Sequence, residues 1–290
     1  MNSFPKSRIE HHRPQFEDLF GQFNKSYHLE LMTDRARTAV IFDTLRRVLS
    51  PDMVFCELGC GTGVFSVYAA GRCKKTYAVE LDLKICEVAE KNIEASRFAD
   101  RIELVRGNAL DVELPEKADV IFCEMMSIWT IEEPEIPVAN RARNDLLKPG
   151  GLFLPLRITN LAELGWYDFR SGDIVLKAAT PLFTGIPKPA LMTERRVCKV
   201  LDFSDPVDPD LSVDVEFEAI GAGEVNCALL TSFVQMGPRV VFSGSDSLMP
   251  PTIVPLHEEI TVDIGERIRF LASVRARSDL GEAAFVAHVQ

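Results

Sequence analysis

The sequence has no long apolar run and no apolar leader. No stretch approaches the roughly 20 apolar residues that a membrane-spanning helix needs. The first 18 residues, MNSFPKSRIEHHRPQFED, lack the apolar core of a signal peptide. These absences argue against a membrane-spanning or secreted protein, and we expect a cytoplasmic location.

Basic residues are too few to balance the acidic ones. The chain carries 32 Lys and Arg against 43 Asp and Glu, which gives a net charge of −11. This balance argues against partners such as nucleic acid or an anionic membrane, because phosphate groups attract a basic surface. It is compatible with a cationic substrate.

Cysteine pairs with metal-ligand spacing are also lacking. The seven cysteines lie mostly inside apolar runs. We interpret them as reduced core thiols rather than as disulfides. His11 and His12 have no metal-like neighbours either, so we expect no metal cofactor.

The two halves of the chain have different patterns. In the first half, short apolar strands alternate with helices, which is typical of a doubly wound parallel sheet. After about residue 157, strand-like segments separated by turns predict a β domain, a barrel or a sandwich. The predicted strands of the first half are 53–58, 76–80, 101–105, 118–123 and 151–158, and the predicted helices are 28–49, 64–70 and 83–96.

We therefore expect an α/β protein with a Rossmann-like domain followed by a β-barrel-like domain. The expected boundaries are 1–50 for an N-terminal helical segment, 51–157 for the Rossmann-like domain and 158–290 for the β-barrel-like domain. The sequence Lys148-Pro149-Gly150-Gly151 predicts a turn that leads from a helix into the fifth strand.

A glycine-rich turn, ELGCGTG at 57–63, follows the first strand and opens a helix. A dinucleotide-binding fingerprint would place its third glycine at position 64, which is Val64, so the turn alone leaves NAD binding open. The spacing G-x-G-x-G after an acidic residue resembles motif I of class I S-adenosylmethionine (SAM) methyltransferases. Glu80 ends the second strand, where a carboxylate can accept hydrogen bonds from ribose hydroxyls.

This resemblance implies a SAM-binding domain, with S-adenosylhomocysteine as the product of the reaction. The residues that it assigns to the cofactor are His28, Arg37, Glu57, Gly59, Cys60, Gly61, Gly63, Glu80, Asn108, Ala109 and Glu124.

Two glutamates stand nine positions apart after the fourth strand, in CEMMSIWTIEEPE at 123–135. Glu124 directly follows a buried strand, and a carboxylate there needs a partner. Glu133 has Glu132 beside it, so either could be the second carboxylate. Read alone, Glu132, Glu133 and Glu135 would form the solvated start of a helix.

The same stretch resembles the double-glutamate loop of protein arginine methyltransferases. Upstream, the segment from His28 to Thr38 resembles the N-terminal helix of that family. The resemblance implies that Glu124 and Glu133 are catalytic, that Arg37 pairs with the SAM carboxylate, that His28 lies over the cofactor and that Asp34 orients the helix. It also implies a homodimer.

The chemistry of arginine fits two carboxylates. A guanidinium has a pKa above 12 and no free lone pair, so it is a poor nucleophile. Two forked carboxylates fix its plane and draw positive charge away from the reacting nitrogen. Positioning and electrostatics can then supply most of the rate.

The sequence departs from the family at two places. Members of the family carry a Thr-His-Trp loop, whose position falls on Ser247-Leu248-Met249, so its histidine is absent. The region that normally forms the dimerisation arm, about 165–200, is shortened. These losses favour free L-arginine as the substrate, as in natural-product biosynthesis by small bacterial enzymes. The alternatives are a methyltransferase of peptidyl arginine and a catalytically silent SAM-binding partner subunit.

Overall fold

The first half of the protein is a five-stranded parallel sheet with helices packed against it. The computed structural model describes residues 33–237, 240–244 and 248–290. The strands lie in the order β3-β2-β1-β4-β5, so the direction of winding reverses between β1 and β4. The elements are α1 (Arg35–Val48), β1 (Val54–Leu58), α2 (Val64–Ala70), β2 (Lys75–Glu80), α3 (Leu83–Glu94), β3 (Ile102–Arg106), β4 (Ala118–Cys123), α4 (Glu135–Arg141) and β5 (Leu147–Leu154).

The second half is antiparallel. The long strand β13 lies at the centre of a sheet ordered β10-β6-β13-β15-β9, to which β11 and β14 add at the sides, and β12-β16-β17 form a separate three-stranded sheet. Its strands are β6 (Arg157–Trp166), β7 (Arg170–Ser171), β8 (Ile174–Val175), β9 (Thr180–Pro181), β10 (Ala190–Leu191), β11 (Arg196–Asp202), β12 (Asp210–Glu218), β13 (Gly223–Gly237), β14 (Val240–Ser243), β15 (Thr252–Val262), β16 (Arg267–Arg275) and β17 (Ala284–Val289). The predicted fold class, a Rossmann-like sheet followed by a barrel-like β domain, is confirmed.

The first helix differs from its prediction. Residues 28–32 of the predicted helix lie outside the described residues, and the helix in the described part begins after Asp34, whose carboxylate accepts the Arg37 N–H at 3.0 Å. Ala36 and Ala39, two apolar residues at helical spacing in 28–49, are exposed. The buried face instead consists of Arg37, Thr38, Ile41, Thr44 and Leu45. The apolar pattern was misleading because the first turn buries polar side chains.

The junction between the halves also differs. Residues 148–151, expected as a turn, lie inside β5, where the pairing with β4 shifts register between Ala118 and Val120. The predicted strand 151–158 is two strands, β5 and β6, separated by Pro155, which has no N–H for a sheet. The domain boundaries given above stay a prediction.

A loop between β4 and α4 ties the parallel sheet to the β domain. Its Trp129 is buried and donates its indole N–H to the Leu161 carbonyl at 3.0 Å. The Trp129 backbone N–H donates to the Ser232 hydroxyl at 3.1 Å, and its carbonyl accepts from Asn160 at 3.1 Å. Ser232 in turn donates to Asn160 at 2.9 Å. The buried pair Asn160 and Ser232 therefore fixes the backbone of this loop.

Within the described ranges, no helix is both long and apolar enough to cross a membrane.

Substitution Asn160→Ala is expected to lower the free energy of unfolding by about 1–3 kcal/mol, because it leaves buried polar groups without partners. The matched control is Asn92→Ala, which removes a single exposed hydrogen bond to the Thr62 carbonyl. That change should stay within about 0.5 kcal/mol. Urea unfolding of both variants measures the difference. Equal midpoints would contradict a structural role for Asn160.

Candidate active site

The glycine-rich turn between β1 and α2 has the shape expected of a ligand cradle. Gly59 has a φ of 73°, and its N–H and that of Cys60 donate to the Val79 carbonyl at 2.9 and 2.8 Å. A Cβ added to Gly59 would lie 2.6 Å from the Met125 methyl group. The turn is therefore closely covered by the loop after β4.

Glu80 connects the glycine turn to the end of β2. One carboxylate oxygen accepts the Gly61 N–H at 2.8 Å, and the other accepts the N–H groups of Leu81 and Asp82 at 2.8 and 3.0 Å. A carboxylate offers about four lone-pair sites, so Glu80 can still accept a further hydrogen bond. It fits a ribose hydroxyl.

Four of the residues predicted to bind the cofactor line one cleft: Gly59, Glu80, Asn108 and Ala109. The Asn108 side chain is engaged in its own turn, accepting the Leu110 N–H at 3.0 Å and donating to Asp111 at 3.1 Å. The turn holds the backbone of residues 108 and 109 against the cleft.

Other predicted cofactor residues lie elsewhere. The Cys60 side chain is buried in a small apolar cluster. Only the backbone of Cys60 is therefore available to a ligand at the turn. Gly63 is the residue before α2, with a φ of 78°. Glu57 is buried and accepts the Ser66 hydroxyl. Burial raises the pKa of Glu57 to about 8, and the Ser66 hydrogen bond opposes that rise. His28 lies outside the described residues.

Glu124 and Arg37 form a forked ion pair. Arg37 donates from Nε to one Glu124 oxygen at 2.6 Å and from Nη2 to the other. Both side chains are nearly buried, with exposures of 4% and 9%. Burial raises the pKa of the Glu124 carboxyl group, and Arg37 opposes that rise. A carboxylate predicted to hold a substrate guanidinium thus already holds one from its own chain.

Glu133, rather than Glu132, is close to Glu124. Burial raises the pKa of Glu133 to about 8, and the charges of Glu124 and Glu132 raise it further. Glu132 is exposed, and its charged neighbour is Asp279 rather than Glu124. The charge of Glu124 acting on Glu133 therefore favours Glu133 as the partner of Glu124.

The Ser127 hydroxyl fixes the far end of the loop. It accepts the N–H groups of Glu132 and Glu133 at 2.8 and 3.1 Å. Between these anchors, Trp129 and Thr130 have φ angles of 54° and 57°. Left-handed conformations are costly for such residues and persist when their surroundings hold them.

Three residues of this loop make contacts that the sequence alone did not predict. The buried carboxyl group of Glu135, the Ser127 hydroxyl and the Trp129 anchorage on the β domain all depend on tertiary contacts. Glu135 is fully buried, although its position at a helix start suggested solvent. The sign in the sequence that this loop packs against another part of the protein was Trp129, a large aromatic residue between two glutamates.

Electrostatically, the site is a group of carboxyl groups with raised pKa values. Burial is the main cause for Glu57, Glu133 and Glu135, whose pKa values each rise to about 8. The negative charge of Glu124 adds to the rise in all three. Such a group binds protons or cations at neutral pH, because like charges in a buried site disfavour one another. A guanidinium can donate two hydrogen bonds to one carboxylate, as the Arg37 guanidinium does to Glu124.

Comparison with known proteins agrees with this description. Residues 55–151 match the family model of a methyltransferase domain. An uncharacterised protein of Methanocaldococcus jannaschii, MJ1452, is 28% identical over 255 residues, which cover 88% of this chain and 93% of that protein. A probable protein arginine N-methyltransferase 6 of Arabidopsis thaliana is 34% identical over 135 residues, 46% of this chain. The chain spans about a third of that relative, 31% of its length.

Among solved structures, the fold resembles the Trypanosoma brucei PRMT1 enzyme-prozyme heterotetrameric complex with AdoHcy. The TM-score is 0.74 at 18% sequence identity, with 92% of this chain and 98% of that chain covered. At this identity the similarity demonstrates the fold. Together, these comparisons support the enzyme class predicted from the sequence, a SAM-dependent arginine methyltransferase.

Substitution Arg37→Ala is expected to raise the pKa of Glu124 further, because it removes the cation that favours the carboxylate form. The measurement is the ¹³C shift of the Glu124 carboxyl group as a function of pH. Arg35→Ala, an exposed arginine on the same helix, is the control and should leave that titration unchanged. Identical titration curves in the two variants would show that the ion pair does not govern Glu124.

Proposed function

We propose that the protein transfers a methyl group from SAM to a guanidino nitrogen of arginine. The observation that carries this proposal is the fork between Glu124 and a guanidinium at the carboxyl edge of the sheet. Glu133 lies beside it as a second carboxyl group with a raised pKa. Two carboxyl groups can accept hydrogen bonds from two different edges of one guanidinium.

The cofactor site fits SAM. The glycine turn lets a ligand approach the backbone, and Glu80 retains acceptor capacity for ribose hydroxyls. When bound, SAM supplies an electrophilic methyl group. Glu80, Asn108 and Ala109 would hold its nucleoside, and the glycine turn would meet its amino-acid end. The roles of Arg37 and His28 toward the cofactor stay predictions.

The protein residues act on the acceptor by orientation and charge. Glu124 and Glu133 hold the guanidinium plane and leave one nitrogen free to receive the methyl group. In their carboxylate form they also stabilise the positive charge that stays on the guanidinium during transfer. A strong base is not required, since the acceptor nitrogen can lose its N–H proton after the methyl group has arrived.

For the acceptor we propose arginine within a protein. The support is the similarity to chains named as protein arginine N-methyltransferases. The sequence had favoured free L-arginine. That expectation depended on the shortened arm and on the missing histidine, at whose position Leu248 is buried and apolar. A free amino acid would also bring a carboxylate into a site crowded with carboxyl groups.

A competition assay distinguishes the two acceptors. Equal concentrations of free L-arginine and a glycine-arginine peptide are incubated with the enzyme and limiting SAM. The arginine of this peptide is placed inside the chain, between glycines, so that it has no free α-carboxylate, and mass spectrometry should find the methyl group on the peptide. Methylation confined to free L-arginine would contradict the protein-substrate proposal and restore the expectation from the sequence.

Substitution Glu133→Gln tests the reaction itself. We expect kcat to fall at least about 100-fold, because charged hydrogen bonds contribute about 1.5–3 kcal/mol each. Binding of S-adenosylhomocysteine should change little. Glu132→Gln, one residue away and exposed, is the matched control and should retain activity. Labelled SAM measures the transfer.

Two results would contradict this proposal. Loss of activity in Glu132→Gln but not in Glu133→Gln would move the second carboxylate by one position. A wild-type chain that binds S-adenosylhomocysteine but transfers no methyl group would instead support the alternative of a silent SAM-binding subunit.

We also propose a homodimer in the cytoplasm. The support for the dimer is an apolar segment in the region expected as an arm, where Ile174, Val175 and Leu176 are 63%, 59% and 58% exposed. Such a cluster is typical of a protein contact. The cytoplasmic location is supported by the thiols, of which six of the seven are buried and none is in a disulfide among the described residues.

Light scattering tests the dimer. The wild-type particle should have twice the mass of the 32.4 kDa chain, and Leu176→Glu should shift it to the monomer, since a buried charge in an apolar contact is costly. Ile264→Glu, at an apolar residue that is 72% exposed between β15 and β16, should leave the dimer intact. An active wild-type monomer would contradict the proposal.

A further inference from the structure

Glu135 is a buried acid that the reaction described above does not use. It lies in the first turn of α4 and has no exposed surface. One carboxyl oxygen, Oε2, accepts the Met125 N–H at 2.8 Å, and Oε1 has no hydrogen-bond partner among the described residues. Glutamate is almost never fully buried without a partner. Its presence here calls for a reason.

The backbone contact of Glu135 adjoins Glu124. The Met125 amide, which directly follows Glu124, donates to Glu135. Glu135 therefore holds the peptide plane that Met125 shares with Glu124, and that plane sets the direction in which the Glu124 side chain leaves the backbone.

The same hydrogen bond closes the loop that carries both catalytic glutamates. Glu133 lies two residues before Glu135, and Met125 lies one residue after Glu124. The bond from Met125 to Glu135 therefore joins the two ends of the loop. It complements the bonds that Ser127 accepts from Glu132 and Glu133. These backbone hydrogen bonds therefore hold Glu124 and Glu133 at a set distance from each other.

We propose that Glu135 is a positioning residue that fixes Glu124 relative to Glu133 through the Met125 peptide. It does so without touching the arginine substrate or the cofactor. This inference rests on the proposed function.

The protonation state of Glu135 supports this role. Burial raises its pKa to about 8, against the lowering effect of the Met125 N–H and the Cys123 thiol, and the charges of Glu133 and Glu124 raise it further. A neutral acid at Glu135 keeps an acceptor for Met125 and adds no further negative charge beside the catalytic pair. Glutamine has the same shape and the same acceptor.

The experiment compares Glu135→Gln with Glu135→Ala and Glu135→Met. Glu135→Gln should keep kcat within about threefold, whereas the other two should lower kcat at least about 30-fold, since a misplacement of about 1 Å can cost about 100-fold. The dissociation constant of S-adenosylhomocysteine should stay within about threefold in all three, although Met125 borders the cleft, because the hydrogen bonds that hold Glu80 and the glycine turn do not involve Glu135. The methionine variant fills the vacated volume and provides a folded protein if the alanine variant unfolds.

Hydrogen exchange at the Met125 amide provides a readout that is independent of activity. Exchange should be slow in the wild type and in Glu135→Gln, and fast in Glu135→Ala and Glu135→Met. The control is Glu163→Ala, which removes a buried glutamate from its ion pair with Arg195 in the β domain. It should lower stability but leave both kcat and the exchange of Met125 unchanged.

The outcomes separate the two proposals. If the wild type transfers no methyl group, the proposed function fails, and the exchange of Met125 alone decides the role of Glu135. Unchanged exchange or unchanged kcat in folded Glu135→Met contradicts positioning. Loss of activity in Glu135→Gln with a protected Met125 amide also contradicts it, because the carboxyl group would then act directly in the reaction.

Discussion

Repulsion among buried carboxyl groups is the constraint around which the site is organised. The ends of β1, β2 and β4 meet at one edge of the parallel sheet, and each brings a glutamate there: Glu57, Glu80 and Glu124. Each of these glutamates has a donor: Ser66 for Glu57, backbone N–H groups for Glu80 and Arg37 for Glu124. Glu133, brought in by the loop after β4, is a fourth carboxyl group, and we propose that a substrate cation engages it together with Glu124. Positive charge offsets the repulsion among these carboxyl groups, which is why the site suits an arginine side chain.

The rest of the architecture holds these charges in place. The loop from Glu124 to Glu133 could not keep two repelling carboxyl groups together by itself. It is anchored on the β domain through Trp129 and at its own ends through Ser127 and Glu135. The β domain, which contains no part of the glycine-rich turn, therefore still determines the conformation of the loop that carries Glu124 and Glu133. The β domain supplies the hydrogen bonds that hold the left-handed backbone of the loop.

Much of this could be predicted from the sequence, because it depends on local patterns. The alternation of strands and helices predicted the parallel sheet, and the glycine spacing identified the turn that lines the cleft with Glu80. The spacing of Glu124 and Glu133 identified the candidate carboxylates. What could not be predicted depends on tertiary contacts. The ion pair of Arg37 with Glu124 was not predicted, and Glu135, which was expected in solvent, is buried. No pattern along the chain shows which helix side chain will contact a loop residue that is 10 or 87 positions away.

A crystal structure of the protein with S-adenosylhomocysteine and an arginine peptide would show directly whether Glu124 and Glu133 together receive the guanidinium of a substrate. The peptide guanidinium is expected to donate hydrogen bonds to both Glu124 and Glu133, with Glu135 still bound to the Met125 amide. A peptide arginine bound away from both glutamates, with Glu124 engaged only by Arg37, would contradict this expectation.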